Sequence, residues 1–299
     1  MKENSTNKAC LERRKYGNTD VELSVLGFGA IIIVASEQEH ANRVVAEAVE
    51  CGVNYFDVAP MYGRAQGCEG DGEIKLGPAL KPYRKNAFLA CKTGCRDRAR
   101  AEIEFNRSLE RLQTDYFDLY QLHGISDVEK DLDVAFSKGG VMEMLIEKKR
   151  TGQIRHLGFS AHSTEAAVEA MERYDFDSAL FAVNFACYHK NGYGREIIRK
   201  AQEKGVACLA LKAMARQQWE DDDPRKGKSK CWYEPLTKRE EASMALRWTL
   251  SQPIVAALPP GEEDLFQMAH DVALHSTSIS AEEEQLLIEM SRTLNPIFG

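Results

Sequence analysis

The stretch Val53-Asn54-Tyr55-Phe56-Asp57-Val58-Ala59-Pro60-Met61-Tyr62-Gly63 decides how this chain folds. A strand-like segment, Val53–Phe56, runs into a carboxylate, and a phenol follows five residues later. The pattern of an apolar run with a reactive side chain at its end then recurs. Phe88-Leu89-Ala90-Cys91 leads to Lys92, and Asp118-Leu119-Tyr120-Gln121-Leu122 leads to His123. Reading outward in both directions gives eight short β-rich runs: Leu26–Ala30, Tyr55–Ala59, Ala87–Thr93, Phe117–His123, His156–Ser160, Ala179–Phe185, Val206–Lys212 and Ile254–Leu258. Amphipathic stretches lie between them, at Glu37–Cys51, Arg98–Leu112, Val141–Thr151, Glu165–Tyr174, Gly194–Lys204, Lys238–Leu250 and Glu262–Val272. In the first of these, Val44, Val45, Ala48 and Val49 share one helical face, while Arg43, Glu47 and Glu50 share the other. Strands that alternate with helices pair in parallel through right-handed crossovers. Eight such units favour a closed (β/α)8 TIM barrel over an open doubly wound sheet.

Three segments fall outside the repeat. Arg14–Val25, with the polar turn Gly17-Asn18-Thr19-Asp20, reads as a β-hairpin that caps the bottom of the barrel. Ser280-Ala281-Glu282-Glu283 opens an extra C-terminal helix, Glu282–Thr293, with acidic residues in its first turn. Residues 213–238 form a long loop over the catalytic face, acidic at Asp221–Asp223 and basic from Arg225 to Lys230. That loop is either a solvated excursion or a lid whose basic half touches the phosphate of a cofactor. No stretch is rich enough in Pro, Gly or Ser to divide the chain, so residues 1–299 are read as one domain, with 1–12 flexible.

Hydrophobic residues make up 43% and charged residues 28%, a globular composition. A formal net charge of −7 and the lack of a basic stripe argue against nucleic-acid and anionic-membrane surfaces. Met1–Lys15 lacks the apolar core of a signal peptide, and the longest apolar run, Gly27–Ala35, is too short to span a bilayer. A cytoplasmic protein is expected, as a monomer or small homo-oligomer. None of the eight cysteines forms a C-x-x-C pair, and most sit in apolar segments where a free thiol packs as a small hydrophobe, so no metal site is expected.

An Asp, a Tyr, a Lys and a His at the C-terminal tips of successive strands form the set that proton delivery to a carbonyl needs. A phenol acts as a general acid near neutrality only if its surroundings stabilise the phenolate.

Several blocks, in order along roughly residues 13 to 275, resemble the aldo-keto reductase family. Asp57-x-Ala59-x-x-Tyr62-Gly63 resembles its signature, and Leu76-Gly77-Pro78-Ala79-Leu80 the helix motif that follows. Ser108–Leu119 up to His123 and Gly152–Ser160 match later blocks. The resemblance implies a barrel, NAD(P)H binding without a Rossmann fold, and reduction of an aldehyde or ketone. It gives Tyr62 the role of general acid, Lys92 that of lowering the phenol pKa, Asp57 that of holding Lys92, and His123 that of orienting the substrate oxygen. A cation at about 4 Å and an effective dielectric near 20 is worth roughly 4 kcal/mol, enough to lower the phenol by up to about three pKa units.

For the cofactor, the resemblance points to Ser160, Asn184, Leu211, Lys212, Gly261 and Glu263, with departures at most of them. Asn184 stands where the family usually has Gln, and Ala161 where it has Asn. Leu211-Lys212 replaces an aromatic-Ser pair, with Lys212 able to meet pyrophosphate as a point charge. Glu262, Glu263 and Asp264 stand where members selective for NADPH offer a basic or hydroxyl group. NADPH is therefore favoured only modestly over NADH, with Arg225, Lys226, Lys228 or Lys230 as substitute phosphate ligands. Met61, Trp219, Trp232, Tyr233 and Phe298 are the expected substrate-lining residues, and the short tail after Thr293 is expected to leave one side of the pocket open. Two other functions stay open: NAD-dependent alcohol oxidation on the same site, and a cofactor-binding regulatory subunit with little turnover, as in the potassium-channel β-subunits that resemble this family.

Overall fold

The computed structural model describes residues 10–227 and 229–299. The chain enters through an antiparallel hairpin, β1 (Arg13–Lys15) and β2 (Glu22–Ser24). Eight parallel strands follow: β3 (Phe28–Gly29), β4 (Tyr55–Asp57), β5 (Phe88–Thr93), β6 (Phe117–Ile125), β7 (Ile154–Ala161), β8 (Ser178–Ala182), β9 (Ala207–Leu211) and β12 (Ala256–Leu258). An antiparallel ribbon, β10 (Ala215–Gln218) with β11 (Tyr233–Pro235), is inserted between the last two. Each of the eight strands pairs with its sequence neighbour, and the first and last meet at a parallel bridge between Leu26 and Ala257. There Gly27 N–H donates to Ala257 O at 3.0 Å and Ala257 N–H to Val25 O at 2.8 Å. The sheet is thereby the nearly closed (β/α)8 barrel that the alternation requires.

Helices cover the outside: α1 (Gln38–Glu50), α2 (Asp71–Leu80), α3 (Arg98–Arg111), a π turn Val128–Asp133 running into α4 (Val134–Phe136), α5 (Val141–Arg150) and α6 (Thr164–Arg173). They continue as α7 (Phe185–Asn191), α8 (Arg195–Lys204), α9 (Arg239–Ser251), α10 (Glu263–His275) and α11 (Ala281–Thr293). Ala41, Val44, Val45 and Ala48 are the buried face of α1. Ser280 and Glu283 close the reciprocal capping box that starts α11.

Strand alternation sorts side chains into two cores. Leu89 and Cys91, with Phe56 and Tyr120, face the helices. Tyr55, Phe88, Ala90, Leu119, Leu180 and Leu209 fill the barrel interior with Tyr16 and Leu23 of the hairpin, which seals the bottom. Continuing that alternation upward brings Asp57, Lys92 and His123 inside the barrel at its C-terminal mouth. Gly27 permits the fit below them, since a Cβ there would lie 2.4 Å from Cδ1 of Tyr55.

Two sequence expectations are corrected, and a third falls mostly outside the described residues. The sixth barrel strand stops at Ala182 rather than Phe185, because Asn184 accepts from the N–H groups of Ala186 and Cys187 and so caps α7. Residues 213–238 are not a plain loop, since the β10–β11 ribbon occupies both ends. Of the segment 1–12 expected to be flexible, residues 1–9 lie outside the described residues, and Leu11 is buried.

Candidate active site

A cavity of about 360 Å³ opens at the C-terminal mouth of the barrel. Asp57, Tyr62, Lys92, His123, Ser160, Leu211, Lys212 and Gly261 line it, together with Met61, Trp232 and Tyr233. Sequence reading missed Gly29, Ile31, Gln66 and His162 among the residues that line it. His162 stands just past the end of β7, where strand-end reasoning would have found it.

Tyr62 reaches this cavity because the chain turns sharply after β4. Tyr62 N–H donates to Ala59 O at 3.0 Å, and Gly63 follows in the left-handed region at φ 104°. Only glycine fits there, since a Cβ would lie 2.1 Å from Cys68 O. The phenol donates to Asp57 Oδ1 at 3.0 Å and receives Lys92 Nζ at 3.3 Å. Lys92 Nζ also donates to Asp57 Oδ1 and, at 3.3 Å, to Val58 O. Asp57 is 0% and Lys92 1% exposed, so the two form a fully buried ion pair. Tyr55, named from sequence only as part of a strand, adds a further contact: its hydroxyl donates to Asp57 Oδ2 at 3.3 Å. Three donors thus converge on one carboxylate.

Burial, followed by the negative charge of Asp57 and the hydrogen bond to it, holds the Tyr62 phenol well above its usual pKa. This reverses the sequence expectation that Lys92 lowers it towards neutrality. The carboxylate accepts the phenolic proton, so in the structure it outweighs the cation beside it. His123 lies edge-on to Tyr62, ring centroids 6.5 Å apart. Burial and then the charge of Lys92 push its imidazole well below the ordinary range, so it is neutral at physiological pH.

Around the rim, Ser160 Oγ accepts from Gly124 N–H at 2.7 Å, which leaves its own proton to donate. Asn184, in contrast, does not reach the cavity. Its Oδ1 caps α7, and its Nδ2 donates to Lys212 O and Ala215 O at 3.1 and 2.7 Å. Glu263 also lies outside it, in a neighbouring hollow with His40, Glu262, Asp264 and Lys230, where its carboxylate meets His40 Nε2 at 2.7 Å. Glu262 accepts from Ser229 Oγ and Lys230 N–H at 2.8 and 2.7 Å, tying the chain that follows the ribbon's turn to the start of α10.

The basic half of that insertion is largely spent internally. Arg225 pairs with Asp223 and Glu234, and Lys226 with Asp221. Lys228 lies outside the described residues. Lys230 does line both hollows, its Nζ donating to Ile32 O at 2.5 Å. Trp219 does not line the cavity; its indole N–H donates to Cys231 O at 3.0 Å and so braces the ribbon. Phe298, expected among the substrate-lining residues, does not line the cavity but packs against residues of its wall. Phe298 stacks on His162 at 5.0 Å and on Tyr193 at 5.2 Å, and Phe298 O accepts from Asn191 Nδ2 at 3.0 Å. Among the described residues no group of three or more His, Cys, Asp or Glu is placed to hold a metal ion. No helix among them is long and apolar enough to cross a membrane.

The Aldo/keto reductase family model matches residues 25–289, so the chain belongs to the aldo/keto reductase family, whose members are oxidoreductases that use nicotinamide cofactors. Among similar proteins, the uncharacterized oxidoreductase YqkF of Bacillus subtilis is 26% identical over 305 residues, covering 92% of this chain and 94% of its own. L-galactose dehydrogenase of Arabidopsis thaliana is 24% identical over 315 residues, covering 96% and 95%. The holo form of aldo-keto reductase AKR11C1 from Bacillus halodurans superposes with a TM-score of 0.72 at 25% identity, covering 96% of this chain and 98% of the other.

Proposed function

We propose that this chain reduces an aldehyde or ketone with NAD(P)H, Tyr62 giving the proton to the carbonyl oxygen. The observation that carries this reading is the phenol held between Asp57 and Lys92, at 3.0 and 3.3 Å, on the floor of a cavity open to a small molecule. A phenol that burial keeps protonated is poised as an acid, and an oxygen turning into an alkoxide is basic enough to take its proton. The phenolate left behind is met by Lys92, so charge separation is stabilised where it develops. Neutral His123 offers an N–H to the same oxygen without adding a second cation beside Lys92.

The wall of the cavity suits a nicotinamide, which supplies the hydride when bound. Ser160 keeps a free hydroxyl proton for the carboxamide, Leu211 offers an apolar side to a ring, and Gly261 brings bare backbone to the start of α10. Beyond Lys230 the second hollow, lined by Glu262, Glu263 and Asp264, would take the far end of the dinucleotide. NADPH, modestly favoured from sequence, meets an acidic rim there that opposes a 2′-phosphate and is only partly answered by His40 and Lys230. Residence in the cytoplasm as a monomer or small homo-oligomer belongs to the same proposal.

The test is to titrate the protein with NADPH and NADH by intrinsic fluorescence, then add a panel of aldehydes and ketones to each complex. Consumption of bound reduced cofactor is the expected result. Tight binding of cofactor with no consumption by any carbonyl would replace this reading with a regulatory subunit.

A further inference from the structure

Proton delivery leaves two lysines of the cavity unused, and while Lys230 donates to Ile32 O, Lys212 is the one without a partner among the described residues. Lys212 directly follows β9 and adopts a left-handed backbone at φ 62°, which disfavours residues with a side chain. Simple strand alternation would send Leu211 into the barrel and Lys212 out of it. The left-handed turn instead brings both side chains into the same cavity. The turn is pinned through its carbonyl, which accepts from Asn184 Nδ2 at 3.1 Å and from Ala215 N–H at 3.0 Å. The four polar contacts of buried Asn184 all serve to fix this turn or to cap the helix beside it.

What the turn delivers is an ammonium without a partner. Lys212 is 7% exposed, and its Nζ makes no hydrogen bond or ion pair among the described residues. It lies 5.4 Å from the ring centre of Trp232 and 5.1 Å from that of Phe298. The titratable groups that face it are Lys92, His123, His162 and the thiols of Cys187 and Cys231, with no carboxylate among them. Asp57 lines the same cavity but is already held by Lys92. Aromatic faces soften the burial of a cation but do not neutralise it, so the arrangement is completed by an anionic ligand. Burial pushes the Lys212 ammonium down to about 8, so it is still mostly charged at neutral pH.

The position of the charge selects the source of that anion. Phe298, which Lys212 touches, stacks on His162 and Tyr193, beyond the ends of β7 and β8. The loop Pro259–Gly261 and Lys230, where the dinucleotide would leave the cavity, lie at the end of β12 on the other side of β9. We propose that Lys212 anchors a carboxylate on the substrate, so that the site prefers aldehydes or ketones that also carry an acid group. Met61 and Trp232, 42% and 56% exposed at the mouth, would cover an apolar or aromatic body between the two ends. The inference rests on the carbonyl-reducing reading above and takes Lys212 from the pyrophosphate role expected from sequence.

The probe pair is 4-formylbenzoate and its methyl ester, which differ only in the charge. In the native protein kcat/KM for the acid should exceed that for the ester by at least about tenfold, and Lys212→Met should bring the ratio close to one. Benzoate, followed through quenching of Trp232 with and without NADPH, should bind at least about tenfold more weakly to the variant. In the native protein its affinity should fall as pH rises past about 8, which keeps the question decidable if Lys212→Met does not fold. An acid-to-ester ratio near one in the native protein, or no benzoate binding, overturns the anchor. A variant that loses NADPH and NADH affinity about tenfold with the ratio unmoved assigns Lys212 to the cofactor phosphates instead. If neither aldehyde is reduced but benzoate binding depends on Lys212, the anchor stands and the carbonyl-reducing reading is the one that fails.

Discussion

On one side of the cavity, β4 to β6, the reactive groups stand in or at the ends of paired strands, and their charges cancel in place. Asp57 meets Lys92, Tyr62 and Tyr55 there without solvent between them. On the other side, β9 to β12, the strands give way to the β10–β11 ribbon, the segment that joins its two strands, and the start of α10. There Arg225, Lys226 and Glu263 pair across loops that remain partly in water, and Glu262 accepts from Ser229 and the Lys230 backbone. The first side has one arrangement available to it, because moving any member strands a buried charge. The second can exchange partners at little cost. The proposed chemistry is thus lodged where substitution is punished, and the proposed grip on the far end of the dinucleotide where it is tolerated.

That contrast can be broken experimentally, beginning on the rigid side. Tyr62→Phe should lower kcat for carbonyl reduction by about a thousandfold while leaving cofactor Kd within a few-fold, as steady-state rates and fluorescence titration would show. Substantial residual turnover would remove the phenol from its proposed role. Lys92→Met leaves Asp57 buried without its cation and should cost ~3–5 kcal/mol in urea unfolding at neutral pH. An unchanged midpoint would mean that the pair is not held as ions.

On the adaptable side the effects should be smaller. Glu263→Lys is expected to move the NADPH-to-NADH affinity ratio towards NADPH by about tenfold, with little change in thermal stability. If the ratio stays put, the second hollow does not face the nucleotide. His162 supplies the mildest test. Burial, then the charge of Lys212, pulls its imidazole from 6.5 down to about 4. A group neutral in the fold but titrating near 6.5 when unfolded stabilises fully above that pH, and the benefit is lost as pH falls towards about 4. Replacing it by Phe should flatten the pH dependence of the urea midpoint over that window.

The barrel was legible because buried parallel strands are short apolar runs, and the intervening helices show their faces, as Val44, Val45 and Ala48 do. The same alternation carried Asp57, Lys92 and His123 to one mouth. What escaped depends on contacts between distant residues or on local backbone. Phe185 looks like the end of a strand and becomes a helix only because Asn184 caps it. Helix α2 contains Gly72, Gly77 and Pro78, and its periodicity is weak enough that only the family resemblance marked it. Tyr55 reads as part of a strand and is core, yet its hydroxyl also serves Asp57. No spacing announces that Glu263 will meet His40, which lies 223 positions earlier. Nor does any spacing announce that Lys212 will turn left-handed and face inward.

The hairpin at the bottom of the barrel acquires a second meaning from the aromatic column above it. Tyr16 packs on Phe88 at 5.1 Å, Phe88 on Tyr55 at 6.1 Å, and the hydroxyl of Tyr55 ends on Asp57. The floor of the cavity therefore rests on a pillar whose foot is the hairpin at the barrel bottom. Drift in Tyr16, which no substrate will ever touch, is expected to be read at the far end as a loosened carboxylate.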